Sequence, residues 1–285
     1  SGAALTAAGD VTVADSNFNN NANAGATINA GGKAEITNTH FNNNGSGQID
    51  DPTGSGVNIK SGGAVSLASV SANNNQLFGA NIQAAGNVVV TNGFFNGNQG
   101  YAYVNGWVFN GYGLQVVTTG NITLEGVNAN DNYLFGAHLD GVIVNVTNSS
   151  FSENSSDWNE NPTGYGLEIK STNDINLIGV TANNNQLFGA NIESIDEVMI
   201  HDSFFNGNKS YTYSSTGEKS YGGYGLRVVT TDNVDLQRIE ATGNNLYGAH
   251  IETSEVAIDT ADFSNNSSGD ALNLTGRGLE IVSDL

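Results

Sequence analysis

Five residues of this 285-residue chain have types and spacing that could do chemistry together: His138, Asp140, Glu168, Lys170 and Glu193. Each follows a glycine that opens a repeated pattern (Gly136, Gly166, Gly189) by two or four residues, which marks it as outward-facing if the repeats are strands. Stacked at about 5 Å, carboxylates on successive repeats reach the separation at which two acids divide acid, base and nucleophile roles in glycoside chemistry. The competing reading is an alternating-charge ladder on a solvated face, with Glu168 between Lys170 and His138. The ladder is favoured, because GAHL at 136 returns as GAHI at 248 without the charges that surround His138. Metal chemistry is not expected: His138/Asp140 and His250/Glu252 each offer two ligands at most, and no HExxH is present.

A second group of candidates is aromatic. Tyr101, Tyr103, Trp107, Trp158, Tyr211 and Tyr213 lie in insertions rich in Asn, Ser and Gly, a makeup suited to sugar stacking or protein contact. The alternative is that these rings fold back and cover a corner of the fold. The insertions also hold Asp50, Asp51, Asp157 and Glu160, weak candidates for calcium without a DxDxDG pattern. No other cofactor is expected. Sequons occur at Asn121, Asn145, Asn154, Asn208 and Asn273 in a chain crowded with Asn, Ser and Thr.

The elements that must hold these residues follow from repetition. SANNNQLFGANI at 71 to 82 returns as TANNNQLFGANI at 181 to 192, and the two prolines, Pro52 and Pro162, are likewise 110 apart. A smaller unit opens at Gly2, Gly25, Gly56, Gly79, Gly113, Gly136, Gly166, Gly189, Gly225, Gly248 and Gly278, so that a 23-residue rung alternates with one carrying 7 to 13 extra residues. Inside each rung, apolar residues alternate in short bursts, as at Leu167 and Ile169, then Ile175 and Leu177, which predicts strands. Three short strands per rung, pairing in parallel with their copies about 4.8 Å away, predict an all-β fold: a single-stranded, three-sided parallel β-helix of about ten complete rungs with insertions on every second one. The chain reads as one domain, 1–285, with internal repeats 56–165 and 166–277. Asparagines 21, 44, 75, 98, 132, 154, 185, 208, 244 and 266 should form one ladder, with Asn supplying the left-handed conformation of the corner. Phe78, Tyr112, Phe135, Tyr165, Phe188, Tyr224 and Tyr247 should form an aromatic stack.

GLEIKSTNDINLIGVTANNN at 166 to 185 resembles the repeat of the pectin lyase-like superfamily, and the resemblance extends over essentially the whole chain. It implies a right-handed, secreted β-helix. It is weak for activity, because that superfamily spans pectate lyases, polygalacturonases, alginate epimerases, phage tailspikes and surface adhesins. The separated aspartates with a Gly-His-Gly step of polygalacturonases are missing here, and so is the clustered acidic calcium site beside a catalytic Arg or Lys of the lyases.

Composition narrows the partners. With 28 Asp+Glu against 8 Lys+Arg the net charge is −20, which repels nucleic acid and acidic bilayers. The 37 Gly and 44 Asn are turn chemistry, no run of 18 apolar residues suggests membrane insertion, and the absence of Cys removes disulfides and thiolate sites. The expectation is an extracellular or cell-surface structural, adhesive solenoid, a filament subunit or a segment of a longer array, whose partners are copies of itself or adjoining repeats end to end. A polysaccharide-active or glycan-binding β-helix is the alternative.

Overall fold

The computed structural model describes residues 1–47, 53–103, 107–109, 111–155, 164–213, 219–268 and 276–283. Two parallel sheets run its length. Eleven strands, from Ala3–Ala7 to Arg277–Val282, form the longer sheet, and ten, from Val11–Ala14 to Glu255–Asp262, form the other. In both, the order in space is the order in the chain, each strand paired with its counterparts one rung below and above. That is a parallel β-helix, the fold the repeat spacing predicts.

The third side departs from expectation. Instead of a third run of strands it carries single bridges, Asn17 to His40, His40 to Ser71, and on to Thr181 and Phe204. Later in the chain Val198–Phe204, Asn233–Glu240 and Glu255–Asp262 carry the second sheet around this corner without a break.

Alternation sets the core. Ile28, Ile59, Ile82, Val116, Leu139, Ile169, Ile192, Val228 and Ile251 form one buried column of the long sheet, each about 1.5–3 kcal/mol more stable inside than in water. Phe41, Phe95, Phe151 and Phe205 fill the third side, fully buried.

The asparagine triplets divide three tasks. The third asparagine points inward: Asn75 donates its main-chain N–H and its side-chain amide to Oδ1 of Asn98 at 3.0 and 3.1 Å, and the pattern runs unbroken from Asn21 to Asn266. The ladder residues are not the left-handed ones. That conformation belongs to the residue before each: Asn20, Asn43, Asn74, Gly97, Asp131, Glu153, Asn184, Gly207, Gly243 and Asn265. The first residue of each triplet makes a second, outer row, in which Oδ1 of Asn42 accepts from the N–H of Asn73 (2.8 Å), and Oδ1 of Asn73 from that of Asn96 (2.7 Å). In the inner row each rung donates to the rung above, and in the outer row to the rung below.

The opening glycines have a steric reason. A Cβ at Gly166 would stand 2.5 Å from the carbonyl oxygen of Gly189 one rung on and 2.7 Å from the side-chain amide of Asn185, so rungs stack this closely only without a side chain there.

Candidate functional site

The outer face of the long sheet presents two polar columns beside the aromatic one. Register places Gln115 against His138, His138 against Glu168, Asp140 against Lys170, and Lys170 against Glu193, so the five sequence candidates do meet on three rungs. Their pairing differs from a simple ladder. Nδ1 of His138 lies 2.6 Å from Oε2 of Glu168, both side chains about one-fifth exposed, whereas Lys170 turns to Glu193 at 3.9 Å, both half exposed. Asp140 has no hydrogen bond or ion pair among the described residues.

Higher on the same face lies a network that the sequence reading missed. Arg227 donates to Oδ1 of Asn191 (3.1 Å), approaches Glu193 (3.8 Å), and donates to Oε1 of Glu252 (3.3 Å). Nε2 of His250 meets that same Oε1 at 3.1 Å, Nδ1 of His250 meets Glu280 at 2.9 Å, and Arg277 pairs with Glu280. The expectation that His250 lacks surrounding charges is therefore wrong: Glu252 stands two residues on along its own strand, and Arg227 and Glu280 lie opposite it on the adjacent rungs, 23 and 30 residues away, where register reveals them.

The aromatic stack is continuous from Phe78 to Tyr247, with centroids 4.7–5.1 Å apart. It walls both histidines, Tyr112 and Phe135 lying 6.2 and 5.9 Å from His138, Tyr224 and Tyr247 lying 6.4 and 5.4 Å from His250. Burial, reinforced by the charge of Glu168, pushes the Tyr165 hydroxyl up to about 12, with Arg227 opposing. Tyr112 is raised by the same two causes, and Tyr224 by burial against Arg227. These tyrosines stay protonated and can donate.

The insertions leave the coil after the inner asparagine row, and two of them are hairpins. Tyr101–Tyr103 pairs antiparallel with Trp107–Phe109, placing Tyr103 opposite Trp107, and Ser210–Tyr213 pairs with Lys219–Gly222, placing Tyr211 and Tyr213 opposite Tyr221 and Lys219. Trp158, Asp50, Asp51, Asp157 and Glu160 lie outside the described residues. Among those described, no group of three His, Cys, Asp or Glu could hold a metal ion. Of the sequons, Asn154 and Asn208 belong to the buried inner row and are closed to glycosylation in the folded chain.

The remaining histidines are bound locally, His40 to Ser71 (2.7 Å) and His201 to Asp235 (3.2 Å). Neither a family model nor a curated protein matches the chain. Among solved structures it is similar to the crystal structure of pectate lyase Pel9A, at 16% identity and a TM-score of 0.42 over 94% of this chain and 73% of that one.

Proposed function

We propose that the chain is an extracellular structural, adhesive solenoid, either a filament subunit or a segment of a longer array, in which stacked rungs give rigidity and the corner hairpins give contacts. The single observation that carries this reading is the polarity of the inner asparagine row. From Asn21 to Asn266 each rung donates its main-chain N–H and its side-chain amide to Oδ1 of the next, so the row has one direction throughout. A row of one direction accepts a further rung at either side, so a head-to-tail contact between copies, or an adjoining repeat, continues it without closing. Ile258 and Ile281, which continue the inward columns of Leu236 and Ile251 and are exposed, supply the apolar part of such a contact. Electron microscopy and light scattering of the protein from its native source test the reading. Extended particles of uniform width are expected; compact monomers that turn over a polysaccharide would overturn it.

A polysaccharide-active β-helix is the second reading, favoured by the 2.6 Å contact of His138 with Glu168 beside the unpaired Asp140. Here Glu168 would orient the imidazole and Nε2 would act as general base, with Lys170 and Glu193 as flanking contacts and the hairpin aromatics Tyr101, Tyr103, Trp107, Tyr211 and Tyr213 as a sugar platform. Glycan turnover abolished in Glu168→Gln would support it.

A further inference from the structure

The two halves of the outer face are copies, and one is complete where the other is not. Residues 112 positions on from Tyr112, Gln115, His138, Asp140 and Glu168 are Tyr224, Arg227, His250, Glu252 and Glu280, and Asn81 and Gln83 return 110 positions on as Asn191 and Glu193. The pairing registers of the two sets coincide, Asn81–Gln115–His138–Glu168 in one and Asn191–Arg227–His250–Glu280 in the other.

In the second copy a guanidinium sits at the centre. Arg227 binds Asn191 below and Glu252 above, and Glu252 in turn binds Nε2 of His250. In the first copy Gln115 stands in place of Arg227 and Asp140, shorter by one methylene, in place of Glu252. Gln115 and Asp140 there have no partner among the described residues, and His138 is bound only through Nδ1. Nε2 of His138 is left without a partner. The unpartnered groups of the first copy that can accept are the Asp140 carboxylate and the amide oxygens of Asn81, Gln83 and Gln115, and Lys60 is the cation on the far side of them. Beside them a groove of ≈ 510 Å³, lined by Lys60, Gln83, Val117, Thr118 and Asp140, leaves room for a ligand.

We propose that the first copy is a binding site for an external guanidinium group, which takes the position that Arg227 fills in the second copy. The planar fork donates to Asp140 on the rung above and to Asn81 on the rung below, and its alkyl stem lies in the groove over Val117. The Tyr112 ring walls the site as Tyr224 walls the other, and the net charge of −20 draws cations to this face. The group could be carried by an arginine of a partner protein or by a small molecule. The site stands independently of end-to-end assembly and of glycan turnover.

Calorimetric titration at low ionic strength tests it with 1-butylguanidinium, its neutral isostere 1-butylurea, and an acetylated Gly-Arg-Gly amide. Wild type should bind both guanidinium probes at one site per chain, and the urea at least about tenfold more weakly. Tighter binding of the peptide assigns a protein partner, and tighter binding of butylguanidinium a small molecule. Gln115→Arg, which supplies the group from within, should abolish binding while the chain stays folded, and Asp140→Asn should weaken it at least about tenfold. Absence of binding to wild type overturns the proposal, and so does equal binding by both variants, which would mean attraction to the overall charge.

Discussion

Asn98 donates both its main-chain N–H and its side-chain amide to one atom, Oδ1 of Asn132, at 3.0 Å each, with both residues out of contact with water. Asn132→Ala therefore strands two buried donors at about 1–3 kcal/mol each, and a loss of roughly 2–6 kcal/mol is expected in urea unfolding. In the outer row Oδ1 of Asn96 serves one donor, the N–H of Asn130 (2.8 Å), at a part-buried site where water can replace it. Asn96→Ala should cost about 1 kcal/mol. Equal losses would refute this division of labour.

Gly166→Ala drives a methyl group to 2.5 Å from the Gly189 carbonyl oxygen, a backbone atom held by its own rung. Overpacking of this kind costs about 1–3 kcal/mol. Thermal unfolding should register it, whereas an alanine at Gly9, where nothing lies within 4 Å, should leave the transition unmoved.

The alkaline limb of stability should carry a tyrosine signature. In the folded chain Tyr165 titrates near 12, above its ordinary value of 10.0, because burial and Glu168 disfavour the phenolate. Between those two values the unfolded chain has released the proton and the folded chain retains it, so stability falls as pH rises through that window. Tyr165→Phe should flatten the decline, as followed by unfolding at stepped pH, with phenolate absorbance reporting the titration itself.

On the second sheet, the Arg238 guanidinium bonded to the Asp202 carboxylate holds that acid below its ordinary range. Its contribution is present above the ordinary carboxylate value and is lost as pH falls through the lower folded one. Carbon-detected NMR titration should show Asp202 protonating late, and Arg238→Gln should return it upward. An unchanged titration would contradict the pairing.

Lys170 and Glu193 are half exposed and 3.9 Å apart, a geometry worth about 0–1 kcal/mol. Lys170→Ala should shift the unfolding midpoint little. A large loss of glycan turnover in the same variant would instead show that the residue touches substrate.

What the sequence disclosed depended on what repeats. The rung period, the inner asparagine column and the aromatic column are one-residue signals at fixed spacing, and each is found at its expected place. The left-handed residue was misplaced by one position because Asn, Gly, Asp and Glu share it, so no single letter marks the column. The third side was overcounted as strand because an apolar residue that fills a corner, such as Phe95, looks like strand alternation when read along the chain. The His250 network was hidden for a different reason. Glu252 stands two residues from His250 on its own strand, but Arg227 and Glu280 are neighbours only across rungs, and the 112-residue shift that matches GAHL to GAHI would have exposed them had it been applied to every flanking residue.

The opposed asparagine rows bear on how long such a coil can grow. A side-chain amide has a dipole of about 3.5 D, and a column of them aligned head to tail would add polarisation with each rung, leaving unlike poles at the extremities. Here Asn75 directs its N–H upward while Asn73 directs its oxygen upward, two positions apart on the same turn. Asn42 and Asn206 of the outer row turn their amide nitrogens to the rung above as well, to Ser71 and Glu240, so their dipoles lie across the axis and the polarisation accumulates along the inner column alone.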